Sequence, residues 1–342
     1  MKAMVIQKIA PVLESRQPLA AVEMEPPKIS AAEILIQVSA CGVCHTELDE
    51  IEGRTPPPEL PMIPGHEVVG CVVEKGADVD RFETGDRVGV AWIYSSCGRC
   101  EHCRDGNENL CADFRATGRD AHGGYAEYMK IHQHFAFPIP ERFSDVGAAP
   151  LLCAGAIGYR SLRLTQLQNG QSLGLTGFGA SAHLVLKMLR HQYPDSDVYV
   201  FARSPKEREF ARELGAVWAG PTEASAPQLL HSIIDTTPAW KPIVEALKNL
   251  RPNGRLVINA IRKEENDKEQ LLRLQYPEHL WLEKEIKSIA NVATRDVAEF
   301  LELAAKMDIQ PVVQEYALAD ANRALTELKQ GIIQGAKVLR IS

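Results

Sequence analysis

The apolar positions of this chain change rhythm part-way along. Over residues 1–150, short Val- and Ile-rich runs at 34–38, 68–73, 87–90 and 125–129 are separated by turn signals such as Gly53, Pro64-Gly65, Gly76 and Gly85-Asp86. Runs of that length, broken at that spacing, predict an irregular, largely β region. After Cys153, strand-length runs at 172–175, 198–201, 232–235 and 256–259 alternate with helix-length amphipathic segments. Strand, helix and strand in succession predict a parallel α/β sheet. A helical segment at 297–306 leads into a strand-like tail at 337–341, and residues 55–64, with five prolines, read as a stiff loop.

Composition narrows the class. A chain of 342 residues suggests two domains at about 150 residues each, and 45% apolar with 24% charged residues is ordinary globular usage. Thirty-eight Lys and Arg against 45 Asp and Glu leave a net charge of -7 with no basic cluster, so no nucleic-acid partner is expected. The amino terminus has no long apolar stretch behind Lys2 and Lys8, and no apolar run approaches the roughly 18 residues of a membrane span. The expectation is a cytoplasmic protein with no membrane partner.

Eight cysteines in such a chain point to thiols or metal ligands rather than disulfides. Cys97, Cys100, Cys103 and Cys111 form C-x2-C-x2-C-x7-C in a loop with Gly98 and Gly106 and no apolar periodicity. Four thiolates at that spacing suit a closed, tetrahedral structural zinc site. An iron–sulfur cluster fits less well, because the final spacing differs from the bacterial ferredoxin run and no Pro follows. Cys44, His66 and Cys153 lie on separate segments. Alone, His66 after Pro64-Gly65 suits an exposed loop, and Cys153 a small buried apolar position.

Residues 173–176, then Gly177-Phe178-Gly179-Ala180-Ser181-Ala182, then a helical run to Arg190, read as strand, G-x-G-x-x-A and helix. In that setting Gly177, Gly179, Ala180 and Ala182 let a pyrophosphate approach the free N–H groups of a helix start. The strand at 198–201 runs into Ala202-Arg203-Ser204, where NAD-binding chains carry an acid, and Asp197 precedes that strand. Arg203 and Ser204, with Lys206 or Arg208 as further candidates, suit a ribose 2′-phosphate. NADP(H) is favoured, with NAD(H) open.

Several motifs occur together: Gly42-Val43-Cys44-His45-Thr46, Gly65-His66-Glu67, Gly85-Asp86-Arg87-Val88, the four-cysteine loop, Gly123-Gly124-Tyr125-Ala126-Glu127 and residues 150–155. In order and spacing they resemble the zinc-dependent medium-chain alcohol dehydrogenases, over essentially the whole chain. The resemblance implies an α/β protein. A GroES-like, β-rich catalytic domain at 1–154, completed by 300–342, would join a Rossmann domain with a doubly wound parallel sheet at 155–299, the active site lying in the cleft.

The resemblance further implies that Cys44, His66 and Cys153 bind a catalytic zinc, making two Zn2+ per chain. Glu67 matches a carboxylate that can approach the metal, and Glu47 stands where the family usually has an Asp orienting the ligating His. Thr46 would take the substrate proton. Asp49 stands where many relatives have a His, so the outer end of that relay is either Asp49 or solvent. His45 and Lys337 match positions used for cofactor phosphates, and Trp92 a bulky wall of the substrate pocket. The implied reaction is reversible oxidation of primary alcohols to aldehydes with hydride transfer to NAD(P)+, in a homodimer or homotetramer. The alternatives are a zinc-independent quinone or enone reductase of the same superfamily, and a non-catalytic NADP(H)-binding zinc protein.

Overall fold

The structure, a computed structural model, describes residues 1–15, 17–307, 309–332 and 335–341; of Ala180 it describes the backbone alone. The chain divides into two compact units, Met1–Cys153 with Val292–Ser342, and Ala154–Asn291.

The first unit is built on an eleven-residue strand, Glu33–Val43, which pairs antiparallel with Val68–Lys75, Tyr128–His132 and Ala336–Arg340 in a seven-stranded sheet. Its Ile34, Ile36 and Val38 are buried with Val68, Val72, Val88, Val90 and Ile131 in one apolar core. Register shifts after Leu35 and Val38 mark bulges, which bend and twist the strand that delivers Cys44. The helix Thr294–Lys306 belongs to this unit. Val297, Phe300, Leu301 and Ala304 form its buried stripe, and Thr294 Oγ1 donates to Glu108 Oε1 at 2.5 Å beside the four-cysteine loop.

The second unit carries a six-stranded, wholly parallel sheet in the spatial order Trp218–Gly220, Val198–Phe201, Leu173–Thr176, Leu230–Asp235, Leu250–Ile258, Glu285–Ser288. The runs at 172–175, 198–201, 232–235 and 256–259 fall on four of these strands. Leu173–Thr176 and Val198–Phe201 are buried throughout, as expected of parallel strands covered on both faces. The strand order reverses between Leu173–Thr176 and Leu230–Asp235, the place where doubly wound sheets bind ligands at their carboxyl edge. The α/β expectation therefore holds. Among the described residues no helix is long and apolar enough to cross a membrane.

Candidate active site

Three separate turns of the first unit converge. Cys44 directly follows the long strand and caps the helix His45–Ile51; its backbone N–H donates to Glu47 Oε2 at 2.8 Å. The other oxygen, Glu47 Oε1, lies 2.6 Å from His66 Nδ1, with both side chains fully buried. The longer side chain of Glu47 thus reaches the histidine. His66 follows Gly65 at φ +101, where a Cβ would stand 2.4 Å from the Tyr125 ring. Glu67 presses on Gly42: a Cβ there would lie 1.8 Å from Glu67 Oε2. Cys153 follows the turn Ala149–Leu152.

These turns bring one ligand atom each of Cys44, His66, Glu67 and Cys153 within 4.8 Å of one another. The two sulfurs are 3.9 Å apart, close to the separation of about 3.8 Å for two thiolates at about 2.3 Å from one tetrahedral zinc. His66 Nε2 is buried with no hydrogen-bond partner among the described residues. Two soft sulfurs, an imidazole nitrogen left unsatisfied and a neighbouring carboxylate are a donor set that fits zinc. Within the cluster a hydrogen bond from Cys153 outweighs burial and, with His66, holds the Cys44 thiol well below its ordinary range. The same contact, with burial, pushes Cys153 up. Burial pulls His66 down, but the Glu47 charge and the contact with Cys44 override it and keep the ring well above the usual imidazole value. Burial, and then the Cys44 charge, raise Glu67 well above a normal carboxylate.

Around this cluster Thr46 is buried with Oγ1 3.6 Å from Cys44 Sγ, and Asp49, buried on the same helix, accepts from Arg54 Nε at 2.5 Å. His45 is exposed at the helix start. Trp92 packs on Phe114 at 5.3 Å between ring centroids, and its Nε1 is buried with no hydrogen-bond partner among the described residues. Glu50, which the sequence did not single out, is buried with both carboxylate oxygens lacking a hydrogen-bond partner among the described residues. One placement is corrected. Lys337, matched to a phosphate contact, is buried, and its ammonium donates to Tyr316 OH at 2.5 Å, Glu327 Oε2 at 2.9 Å and Gln314 Oε1 at 3.0 Å. All three of its hydrogens are committed inside the first unit, which leaves none for a phosphate.

The second cluster is local. The ligand atoms of Cys97, Cys100, Cys103 and Cys111 also lie within 4.8 Å of one another, with Cys97–Cys103 and Cys100–Cys103 sulfur separations of 3.9 and 3.5 Å. Backbone N–H groups of Cys100 and Asp113 reach the sulfurs of Cys97 and Cys111 at 3.3 Å. The Arg99 and Cys100 amides pull the Cys97 thiol down to about 6.

In the second unit Gly177 sits at φ +73 directly after the strand Leu173–Thr176, where a Cβ would meet Thr237 Cγ2 at 2.9 Å and Thr236 Oγ1 at 3.0 Å. Gly179 opens onto free space and caps the helix Ala180–Gln192, whose start has no side-chain cap and no acid in its first turn. Those amides are available to an anion. Ala182 is fully buried; the Ala180 side chain lies outside the described set. At the end of Val198–Phe201, Arg203 is exposed and Ser204 caps the helix Pro205–Glu213. Arg208 donates to the Ala202 and Arg203 carbonyls at 2.8 and 2.9 Å, pinning the turn that carries Arg203. Asp197 is at the opposite, amino end of that strand.

Residues 30–141 match the alcohol dehydrogenase GroES-like domain. The chain is 41% identical over 329 residues to a probable alcohol dehydrogenase, AdhA, of Mycobacterium tuberculosis, covering 95% of this chain and 93% of that one. The chain belongs to the zinc-type medium-chain alcohol dehydrogenase family. It is 32% identical over 345 residues to an alcohol dehydrogenase of Geobacillus stearothermophilus, covering 98% and 99% of the two chains. A solved cinnamyl alcohol dehydrogenase of Sorghum bicolor superposes with a TM-score of 0.83 at 26% identity over 99% of this chain and 97% of that one. Membership makes the protein an oxidoreductase of the NAD(P)-dependent alcohol dehydrogenase class, whose substrates are small-molecule alcohols and aldehydes.

Proposed function

We propose that the protein is a zinc-dependent alcohol dehydrogenase that interconverts primary alcohols and aldehydes, with a preference for NADP(H). The observation that carries this reading is the convergence of Cys44, His66 and Cys153, with Glu67, from three turns distant in sequence. Those three residues would hold a catalytic zinc, and Cys97, Cys100, Cys103 and Cys111 a structural one. When bound, the first ion supplies Lewis-acid polarisation of the substrate oxygen. The cluster weighs against a zinc-independent quinone or enone reductase, which has no use for it.

The chain's own residues divide the remaining work. Glu47, 2.6 Å from His66 Nδ1, fixes the ring so that Nε2 faces the sulfurs. Thr46 holds its hydroxyl beside Cys44 and takes up the substrate proton. Asp49, three residues on along the same helix and held by its contact with Arg54, is the candidate for the next group of that relay. Glu67 stands ready to approach the metal, and Gly42 leaves it the room to do so. Trp92 narrows the pocket toward small or flat substrates. A basic Arg203 with no acid at the carboxyl end of Val198–Phe201 supports a ribose 2′-phosphate, with the turn held by Arg208. Gly177, Gly179, Ala180 and Ala182 take the pyrophosphate, with exposed His45 a further candidate contact. Assembly as a homodimer or homotetramer is supported by the sheet edge Glu285–Ser288, exposed throughout and carrying Ile286 near exposed Trp281 and Leu282.

The test is a small aldehyde assayed in parallel with NADPH and NADH, together with zinc analysis of the same sample. Two zinc ions per chain and faster turnover with NADPH are expected. Full activity after complete metal removal would sink the zinc reading, and faster turnover with NADH would overturn the cofactor preference alone.

A further inference from the structure

Beneath the glycine turn lies a buried polar knot to which the proposed reaction gives no part. Asp235 ends its strand fully buried, and its Oδ1 accepts from Thr176 Oγ1 at 2.5 Å and Thr237 Oγ1 at 2.8 Å. Lys263 Nζ binds Asp235 Oδ2 and also donates to the carbonyls of Thr237 at 2.6 Å and Ala239 at 3.2 Å. Thr236 Oγ1 donates to Thr176 O at 2.9 Å. These bonds join the ends of Leu173–Thr176 and Leu230–Asp235 to the segment that follows Leu250–Ile258, at the reversal of strand order. A buried ion pair contributes little net stability, because desolvation offsets its attraction, so what the knot supplies is position.

Every group named in the knot is partnered, and one donor at its edge is not. Asn259, directly after Leu250–Ile258, donates its backbone N–H to Asp235 O at 2.7 Å, yet its side-chain Nδ2 is buried with no partner among the described residues. An amide N–H withdrawn from water without an acceptor is costly unless a ligand supplies one. In a doubly wound sheet the first strand, turn and helix take the pyrophosphate and the next strand's end takes the adenosine ribose. The remaining half of the dinucleotide would then lie over the strands across the reversal, which are Leu230–Asp235 and Leu250–Ile258.

We infer that Asn259 is a cofactor-contact residue whose Nδ2–H donates to the carboxamide oxygen of the nicotinamide, and that Asp235 and Lys263 are the positioning residues that brace it. This rests on the nucleotide-binding reading above. The test titrates the zinc-loaded full chain with NADPH, with NADH and with ADP-ribose, which lacks the nicotinamide, following protein and nicotinamide fluorescence. Asn259→Ala is expected to weaken the tighter-binding dinucleotide about tenfold, the scale of one hydrogen bond, with ADP-ribose affinity and zinc content unchanged.

The brace is tested by Lys263→Met and by the double variant Asp235→Asn with Lys263→Met, which removes both charges and leaves no unpaired one buried. Both are expected to raise the cofactor KM by about three- to tenfold while kcat at saturation changes little. Unchanged dinucleotide affinity in Asn259→Ala, or an equal loss for ADP-ribose, overturns the contact; brace variants that lower kcat and leave KM alone overturn the bracing role. Wild-type protein that binds none of the three ligands overturns the nucleotide reading itself, and this inference with it.

Discussion

The two cysteine clusters are assembled in opposite ways. Cys97, Cys100, Cys103 and Cys111 stand on one loop whose short helix Glu101–Arg104 buries no residue, and their sulfurs are met by backbone N–H groups of the same loop. Cys44, His66 and Cys153 come from a strand end, a glycine turn and a short helical turn, and they are packed around Glu47, Gly42 and Tyr125. If the proposed structural zinc holds this loop, which lacks an apolar core of its own, binding and local folding would be one event there. The gathered donors stand instead on elements that share an apolar core. The folding energy that positions them comes from buried Ile, Val and Tyr rather than from the metal.

That contrast can be broken from either side. Cys44→Ser is expected to have the largest effect, dropping alcohol oxidation to about the rate without bound metal while the chain keeps one zinc and its melting temperature moves by only a few degrees. Metal analysis, turnover and a melt check it together; full retained turnover would end the assignment. Cys103→Ser is the mirror experiment. It should free residues 97–111 to limited proteolysis and lower heat stability, while the gathered site keeps its ion. Loss of both ions at once would show that the clusters are not independent.

Smaller changes sharpen the comparison. Glu47→Gln keeps the shape beside His66 but removes the charge, and a competition titration with a zinc chelator is expected to show metal affinity or activity lowered about 10- to 100-fold. Gly42→Ala must displace Glu67, which lies 1.8 Å from the added Cβ. A stability loss of about 1–3 kcal/mol by denaturant melt is expected, typical of overpacking a tight interior. An alanine accepted without loss would mean that Glu67 moves freely.

Different signals made different parts of this molecule legible. The four-cysteine loop was readable because all its ligands share one short window, and the glycine turn because strand, G-x-G and helix are contiguous. The strands at 87–90 and 198–201 match the observed elements residue for residue. The helix His45–Ile51 was not readable as a buried element. Its sequence HTELDEI is largely polar, yet Thr46, Glu47, Asp49 and Glu50 are all buried, so no apolar periodicity marks it. Lys337 misled for a related reason: a lysine in a strand-like tail reads as available charge, but Tyr316, Glu327 and Gln314 close around it. Asp235 and Lys263 gave no signal, since they meet only across neighbouring strand ends, and nothing along the chain marks the side-chain amide of Asn259.

What the amino-acid order determined by itself is what depends on near neighbours: the rhythm of strands and helices, four cysteines gathered in one loop, and a glycine turn between a strand and a helix. Only tertiary structure decided how closely the distant donors named by the resemblance approach one another, that Glu47 reaches His66, that Lys337 is spent internally, and that the Asn259 side-chain amide has no partner among the described residues. The physical reason is that periodicity and spacing report contacts along the chain. A metal cluster or a buried ion pair depends on distances across a sheet, which arise only once the sheet has closed.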